Sequence, residues 1–337
     1  MKYLLIICLS FCGFASFAQK IELLNEGSNT SIRGLSVVTN KVAWVSGSNG
    51  MVGRSLDSGK TWKWMTLKGY EKRDFRDIEA FDAVTAIIMA IAEPAVILRT
   101  VDGGEHWAQV YENKTNGMFL DAMEFWNHDS GIVIGDPIKG RFFIARSFDQ
   151  GKTWQDIPFD KLPVADSGEA CFASSGTNIR ALDRGEACFI SGGLKSRFFW
   201  KGQPIGLPLA HGKESTGANS IAVRDNEKRK ASNYFVVVGG DFNSDTTVQG
   251  NCVLTNDGGK HWIRPAVPPH GYRSCVEFIT KTRLITCGTS GTDVSSNGGM
   301  NWQLVSKEGF HVCRKAKDGN LVLLAGNNGK IGRLVWK

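Results

Sequence analysis

Beyond its first eighteen residues this sequence has no apolar run long enough to cross a bilayer as a helix, so a membrane-spanning anchor is not expected. It also lacks any run of five basic residues. The net charge of +7 is spread along 337 residues, and the densest cluster, Lys228-Arg229-Lys230 after Glu227, reads as a solvated turn. A nucleic-acid-binding face needs concentrated positive charge with interleaved aromatics, so that class is set aside. No C-x-x-C, H-E-x-x-H or His/Cys grouping at ligand spacing occurs, and no metal is expected. A serine nucleophile has no G-x-S-x-G to sit in. Gly47, Gly50 and Gly53 stand at G-x-x-G-x-x-G, but no helix follows to present its N-terminus to a phosphate, so no cofactor is expected. Helical periodicity is almost absent.

What is present begins with a leader. Lys2 gives a positive start, Tyr3 to Leu9 an apolar core, and Ser16-Phe17-Ala18 a small-x-small cleavage site before Gln19. Residues 1–18 therefore read as a secretory signal peptide, and residues 19–337 as one exported domain, periplasmic or extracellular. Leu9-Ser10-Phe11-Cys12 loosely matches a lipoprotein box, with bulky Phe11 where that box needs a small residue. Six cysteines follow the leader: Cys171, Cys188, Cys252, Cys275, Cys287 and Cys313. Cys275 and Cys287 flank a tight turn at Lys281 and have the spacing to face each other across a hairpin. The favoured reading makes all six small apolar strand residues.

One octapeptide organises the chain. It appears as Ser55-Leu-Asp57-Ser-Gly59-Lys-Thr61-Trp62 and Thr100-Val-Asp102-Gly-Gly104-Glu-His106-Trp107, then as Ser147-Phe-Asp149-Gln-Gly151-Lys-Thr153-Trp154. Thr255-Asn-Asp257-Gly-Gly259-Lys-His261-Trp262 and Ser295-Ser-Asn297-Gly-Gly299-Met-Asn301-Trp302 complete the set. Asp or Asn can accept hydrogen bonds from backbone N–H groups one or two residues on, Gly supplies positive φ, and Trp returns the chain into a strand. Asp57, Asp102, Asp149, Asp257 and Asn297 therefore read as structural corners, not catalytic groups. Ahead of each octapeptide lies a β-rich stretch ending in Gly, such as Tyr234-Phe-Val-Val-Val-Gly239 or Asn320-Leu-Val-Leu-Leu-Ala-Gly326. Seven such units have a period of about 46 residues, that of a four-stranded propeller blade. The expected fold is all-β, a seven-bladed propeller of antiparallel four-stranded blades. In the fourth unit Lys201-Gly202-Gln203-Pro204 replaces the octapeptide. The seventh stops one strand short, and Lys20 to Leu24 supply the missing strand beside Lys330 to Val335, closing the ring.

Strand order puts every octapeptide turn on one face. The long insertions, 136–141, 159–176, 202–220 and 241–251, fall on the other, which is the candidate binding face. Residues entering each first strand approach the axis there: Arg33, Arg76 with Asp77, Asp121, Glu169, Asn219, Arg273 and His311. Glu93, Asp136 and Asp241 come from loops on the same face, as does Glu214. Such a ring suits a polar or anionic ligand, a protein partner or a glycan. The competing reading is a solvated ring of ion pairs, with His311 a hydrogen-bonded structural residue.

The Val-x-Gly-x-x-Gly strands followed by octapeptides resemble the BNR/Asp-box propellers grouped with photosystem II stability and assembly factors, across essentially all of residues 20–337. Gly168-Glu-Ala-Cys-Phe-Ala-Ser-Ser-Gly-Thr-Asn178, Glu214-Ser-Thr-Gly-Ala-Asn-Ser220 and Val238-Gly-Gly-Asp241 look like signature loops of an exported bacterial branch. The resemblance implies a non-catalytic propeller that binds or assembles partner proteins outside the cytoplasm. Asp-boxes occur in sialidases and other glycoside hydrolases as well, and this is the alternative. Asp121, Asp136, Glu169 and Asp241 would supply its carboxylate pair. Arg33, Arg76 and Arg273, with Tyr272 nearby, would supply a sialidase cluster. Against it, Ser31-Ile32-Arg33-Gly34 lacks the arginine-isoleucine-proline signature, and seven units exceed six blades.

Overall fold

A computed structural model describes residues 19–224 and 233–336; the proposed leader and the Lys228-Arg229-Lys230 turn lie outside the described residues. The chain is all-β, with only three single-turn 3-10 segments among the described residues. Its first sheet runs Ile32–Val37, Ala43–Gly47, Met51–Ser55 and Lys63–Thr66, each strand antiparallel to the next. Phe75–Ala80, Ala86–Ala90, Ala95–Thr100 and Ala108–Asn113 repeat the pattern, as do Leu120–Phe125, Gly131–Ile138, Arg141–Ser147 and Gln155–Asp156. Next come Ile179–Ala181, Ala187–Gly193, Arg197–Trp200 and Gln203–Gly206. Thr216–Val223, Phe235–Asp241 and Cys252–Thr255 follow, with a single bridge from Leu254 to Ile263 in place of a fourth strand.

Cys275–Phe278, Leu284–Gly288, Gly291–Ser295 and Gln303–Ser306 form another sheet. The last holds Val312–Lys315, Val322–Ala325 and Ile331–Val335, and its outer strand is Lys20–Asn25, with Lys20 opposite Val335. First strands touch in chain order around an axis, and Val312–Lys315 touches Ile32–Val37.

The apolar core is divided among the spaces between sheets. One cluster joins Trp44 and Val52 to Ile78, Ile88 and Leu98 of the next sheet; another joins Ile87 and Ile97 to Val133 and Phe143. Because a middle strand is covered on both faces, it reads as a continuous apolar run. Ala86–Ala90 and Val322–Ala325 are buried at every position.

Two expectations about loops change. Residues 136–141 are no insertion: Gly131–Ile138 and Arg141–Ser147 run through them, joined at Lys139 and Gly140, with φ of 50 and 77°. In the fourth unit the stretch from Gln203 is itself a strand, so the turn is only Lys201-Gly202, with φ of 52 and 73°. Two residues in left-handed conformation match the twist of a hairpin, which removes the need for an octapeptide.

The octapeptide turns are hydrogen-bonded clasps. Asp57 Oδ1 accepts from the backbone N–H of Thr61 at 2.9 Å, and Oδ2 accepts from the Thr61 hydroxyl at 2.7 Å. The accepted N–H lies four residues on, not one or two as the sequence suggested. Ser55 Oγ donates to Asp57 and accepts from the Gly59 N–H, 2.9 Å each. Asp102, Asp149 and Asp257 repeat this with His106, Thr153 and His261, and Asn297 does so with Asn301. At the fifth position of the octapeptide, Gly104 and Gly151 also have no room for a side chain. A Cβ on Gly151 would lie 2.2 Å from Ile87 of the preceding sheet, and one on Gly104 would lie 2.8 Å from Met65. The corner thus locks one sheet to its neighbour. The six cysteines among the described residues are buried free thiols, and Cys275 sits opposite Cys287 in the ladder.

Candidate binding site at the axial mouth

Four first strands carry the same irregularity at their entry. Register skips a residue between Ile32 and Gly34, Phe75 and Asp77, Leu120 and Ala122, and Ala218 and Ser220. The unpaired residues are Arg33, Arg76, Asp121 and Asn219, all candidates from sequence. A bulge bends its strand and re-aims the side chain, which is why such residues gather at functional edges.

Across this mouth runs the 168–178 loop, placed by the sequence on the candidate binding face and found mostly buried. Ser175, Thr177 and Asn178 are all 0% exposed. Ser175 Oγ donates to the Ser274 carbonyl at 2.7 Å, Thr177 Oγ1 donates to Ser220 at 2.6 Å, and Arg314 donates to the Gly176 carbonyl at 3.2 Å. Gly176 has φ of +64°, and a Cβ there would meet the Asp77 carboxyl at 2.3 Å. The loop plugs the channel, fixed by groups from sheets on several sides.

Arg33 and Arg76 lie half-buried over this plug, donating at 3.3 Å to the carbonyls of Ser174 and Ala173. Burial, then the neighbouring Arg76 charge, hold the Arg33 guanidinium below its ordinary pKa. Asp74, 2.8 Å from Arg76 Nε, is the carboxylate partner of this pair. His311 hydrogen-bonds Asn327 Oδ1 at 2.9 Å; burial, then Arg33, push its pKa down to about 4. It is neutral at pH 7. Asn219 Oδ1 accepts from Tyr272 at 2.8 Å and Ser174 at 3.0 Å, and Tyr272 packs edge-on against Phe242, whose other face neighbour is Phe172.

The remaining candidates separate from this pair. Arg273 is fully buried: its Nε donates to Asp293 at 2.7 Å and its other nitrogens to Tyr272 O, Ser290 Oγ and His270 O. It holds the fold and offers no charge to a ligand. Glu169 is clamped by Arg197 and Ser191 beneath the surface. Asp77 accepts N–H bonds from Ile78 and Met123, and burial raises it to about 7 against the opposing Arg314 charge. Asp121 is wholly buried and raised, by burial and then by Asp136; burial raises Asp136 to about 6, with the Cys171 N–H opposing. Asp136, Asp74 and Glu93 line an open groove of about 640 Å³ with Lys72 and Arg73. Asp241 lies 3.7 Å from Lys213, and Glu214 is exposed.

Sequence reasoning missed the charges inside the channel. Arg180 bridges Glu124 and Glu277, Arg314 reaches Glu277 at 3.7 Å, and Lys317 pairs with Glu79. A signal for them existed: Glu79, Glu124 and Glu277 recur at one position of the first strand, each followed by Ala or Phe. Among the described residues no three His, Cys, Asp or Glu side chains could hold a metal, and no helix is long and apolar enough to cross a membrane.

Sheets radiating from an axis, with turns that clasp each to the last, define a β-propeller. The chain resembles the photosystem II assembly factor propellers in particular. The profile of the family described as photosynthesis system II assembly factor YCF48 matches residues 18–118. A solved structure described as YCF48 bound to D1 peptide superposes with a TM-score of 0.66 at 16% identity, over 96% of this chain and 100% of that one. YCF48 from Cyanidioschyzon merolae gives 0.63 at 15%, over 93% and 98%. The Neurospora crassa Pan2 WD40 domain gives 0.61 at 13%, over 90% and 89%. At these identities the likeness is one of fold. No curated protein sequence matches this chain.

Proposed function

We propose that this chain is an exported, seven-bladed propeller that binds an acidic segment of a partner protein at the Arg33/Arg76 mouth and helps hold or assemble that partner, without catalysis. Seven first strands in a circuit support the blade count, and the pairing of Lys20–Asn25 with Ile331–Val335 supports closure by the N-terminal strand. Residues 1–18 support export. A structural neighbour described as bound to a D1 peptide supports a peptide as the ligand class.

The observation that carries the reading is the arginine pair. Two half-buried guanidiniums stand side by side on carbonyl oxygens, repelling each other, with Asp74 as their carboxylate. A peptide carboxylate would relieve that repulsion and take bidentate bonds. The glycoside-hydrolase alternative needs two carboxylates facing across an open cleft. Asp121 is wholly buried and Glu169 is held by Arg197, so it has less support.

An array of extended peptides with internal and C-terminal acidic groups tests the proposal. Arg33→Glu/Arg76→Glu should weaken retention by about 2 kcal/mol or more, roughly thirtyfold, with its melting temperature nearly unchanged. Arg273→Met should instead destabilise the fold by about 3 kcal/mol, because the buried Asp293 carboxylate loses its arginine and keeps only His270 as a partner. Equal retention by wild type and the double variant refutes the site, and turnover of a fluorogenic glycoside would favour the alternative.

A further inference from the structure

The end of the channel opposite the arginine pair opens into a cavity of about 1000 Å³ on the face of the octapeptide turns. Ligand sites of small molecules span about 300–1,000 Å³. Its walls are the far ends of the first strands, where Phe125, Leu182 and Phe278 give apolar surface.

The floor is rigid and internally neutral. Arg180 donates to the Ile221 carbonyl at 2.8 Å, to Glu124 at 3.3 Å and to Glu277 at 3.2 Å. Arg314 sits behind Glu277 at 3.7 Å, so two guanidiniums answer two carboxylates. Lys317 is answered by Glu79 from outside the cavity lining. Arg224 and Lys315 also line the cavity. Among the described residues neither has a carboxylate within ion-pair distance, and Arg224 lies over the Tyr234 ring at 3.9 Å. Asp183 is the lining carboxylate outside the floor network. A walled, partly desolvated recess with surplus positive charge at its rim concentrates anions.

We infer that this cavity is a second ligand site, taking a metabolite-sized polyanion that carries carboxylate or phosphate groups. Arg224 and Lys315 meet the anionic groups, Arg180 lies at the base, and the apolar wall accommodates any carbon skeleton. The inference is independent of peptide capture at the other mouth.

Calorimetric titration of the purified chain at low salt, with pyrophosphate in one arm and citrate in the other, tests it. One site should saturate below about 1 mM for at least one anion, which also shows whether phosphate or carboxylate is preferred. Lys315→Glu and Arg224→Glu should each weaken binding about tenfold with unchanged melting temperature, and Lys315→Arg should bind as wild type. Lys315→Gln, which introduces no repulsion, should show a smaller loss in the same direction. No saturation by about 10 mM, or equal affinity in both reversal variants, overturns the proposal. Loss in Arg33→Glu/Arg76→Glu instead would move the anion to the other mouth, and that too overturns it.

Discussion

Asp57 and Asp136 are the same residue type held in opposite ways. The Thr61 N–H, then its hydroxyl, keep the Asp57 carboxyl below its usual range, whereas burial lifts Asp136 to about 6. A carboxyl whose folded pKa exceeds its unfolded value of about 3.9 favours the folded state fully at low pH, and that contribution fades as pH rises through the folded pKa. Asp136→Asn retains an acceptor for the Cys171 N–H and never acquires the charge. Its melting temperature should therefore match wild type near pH 4 and exceed it above about pH 6, and thermal scans across that range check this. Neutralising Asp136 also removes the like charge that raises Asp121, which works in the same direction. His311 runs the other way: favouring the neutral ring, it costs stability as pH falls from its ordinary value of 6.5 towards about 4. At this scale the sequence located the entry residues but not their exposure. Arg273 stands where Ile32 stands in the first sheet, one residue before the position of Arg33, and meets Asp293 from another strand of its own sheet, while Arg33 meets the Ser174 carbonyl and Arg76. Pairings of that kind depend on register and on packing between sheets, which local spacing does not encode.

The octapeptide turn was legible because its parts act within eight residues. Its consequence for packing was less so, since the partner of each fifth-position glycine lies a whole sheet earlier. Gly151 combines a φ of +70° with a Cβ position 2.2 Å from Ile87 Cδ1. Gly151→Ala should cost about 1–3 kcal/mol in urea unfolding, from left-handed strain plus overpacking. An unchanged midpoint would mean that the corner does not brace the preceding sheet. The 168–178 loop misled for a related reason. Its Ser, Gly, Thr and Asn content is that of a surface turn, but here those small polar groups pair with one another and with buried backbone. Continuous apolar middle strands were recognisable as strands. That both of their faces are covered follows only from the neighbours.

For the whole molecule, the repeat period and the orphan strand at residues 20–24 were the strongest signals, because they depend on counting alone. Lys20–Asn25 covers the outer edge of Ile331–Val335. Removing residues 19–26 would expose that edge as a pairing template. The truncated chain should lose its single cooperative melt and show concentration-dependent light scattering; an unaltered transition in calorimetry would disprove closure by this strand. The plug bears on traffic along the axis. With Ser175, Gly176 and Thr177 hydrogen-bonded or packed against sheets on several sides of the axis, the barrel centre is no conduit. A molecule that enters from one side has to leave by the same side, so each face negotiates with its own surroundings and the two can be loaded without competing for space.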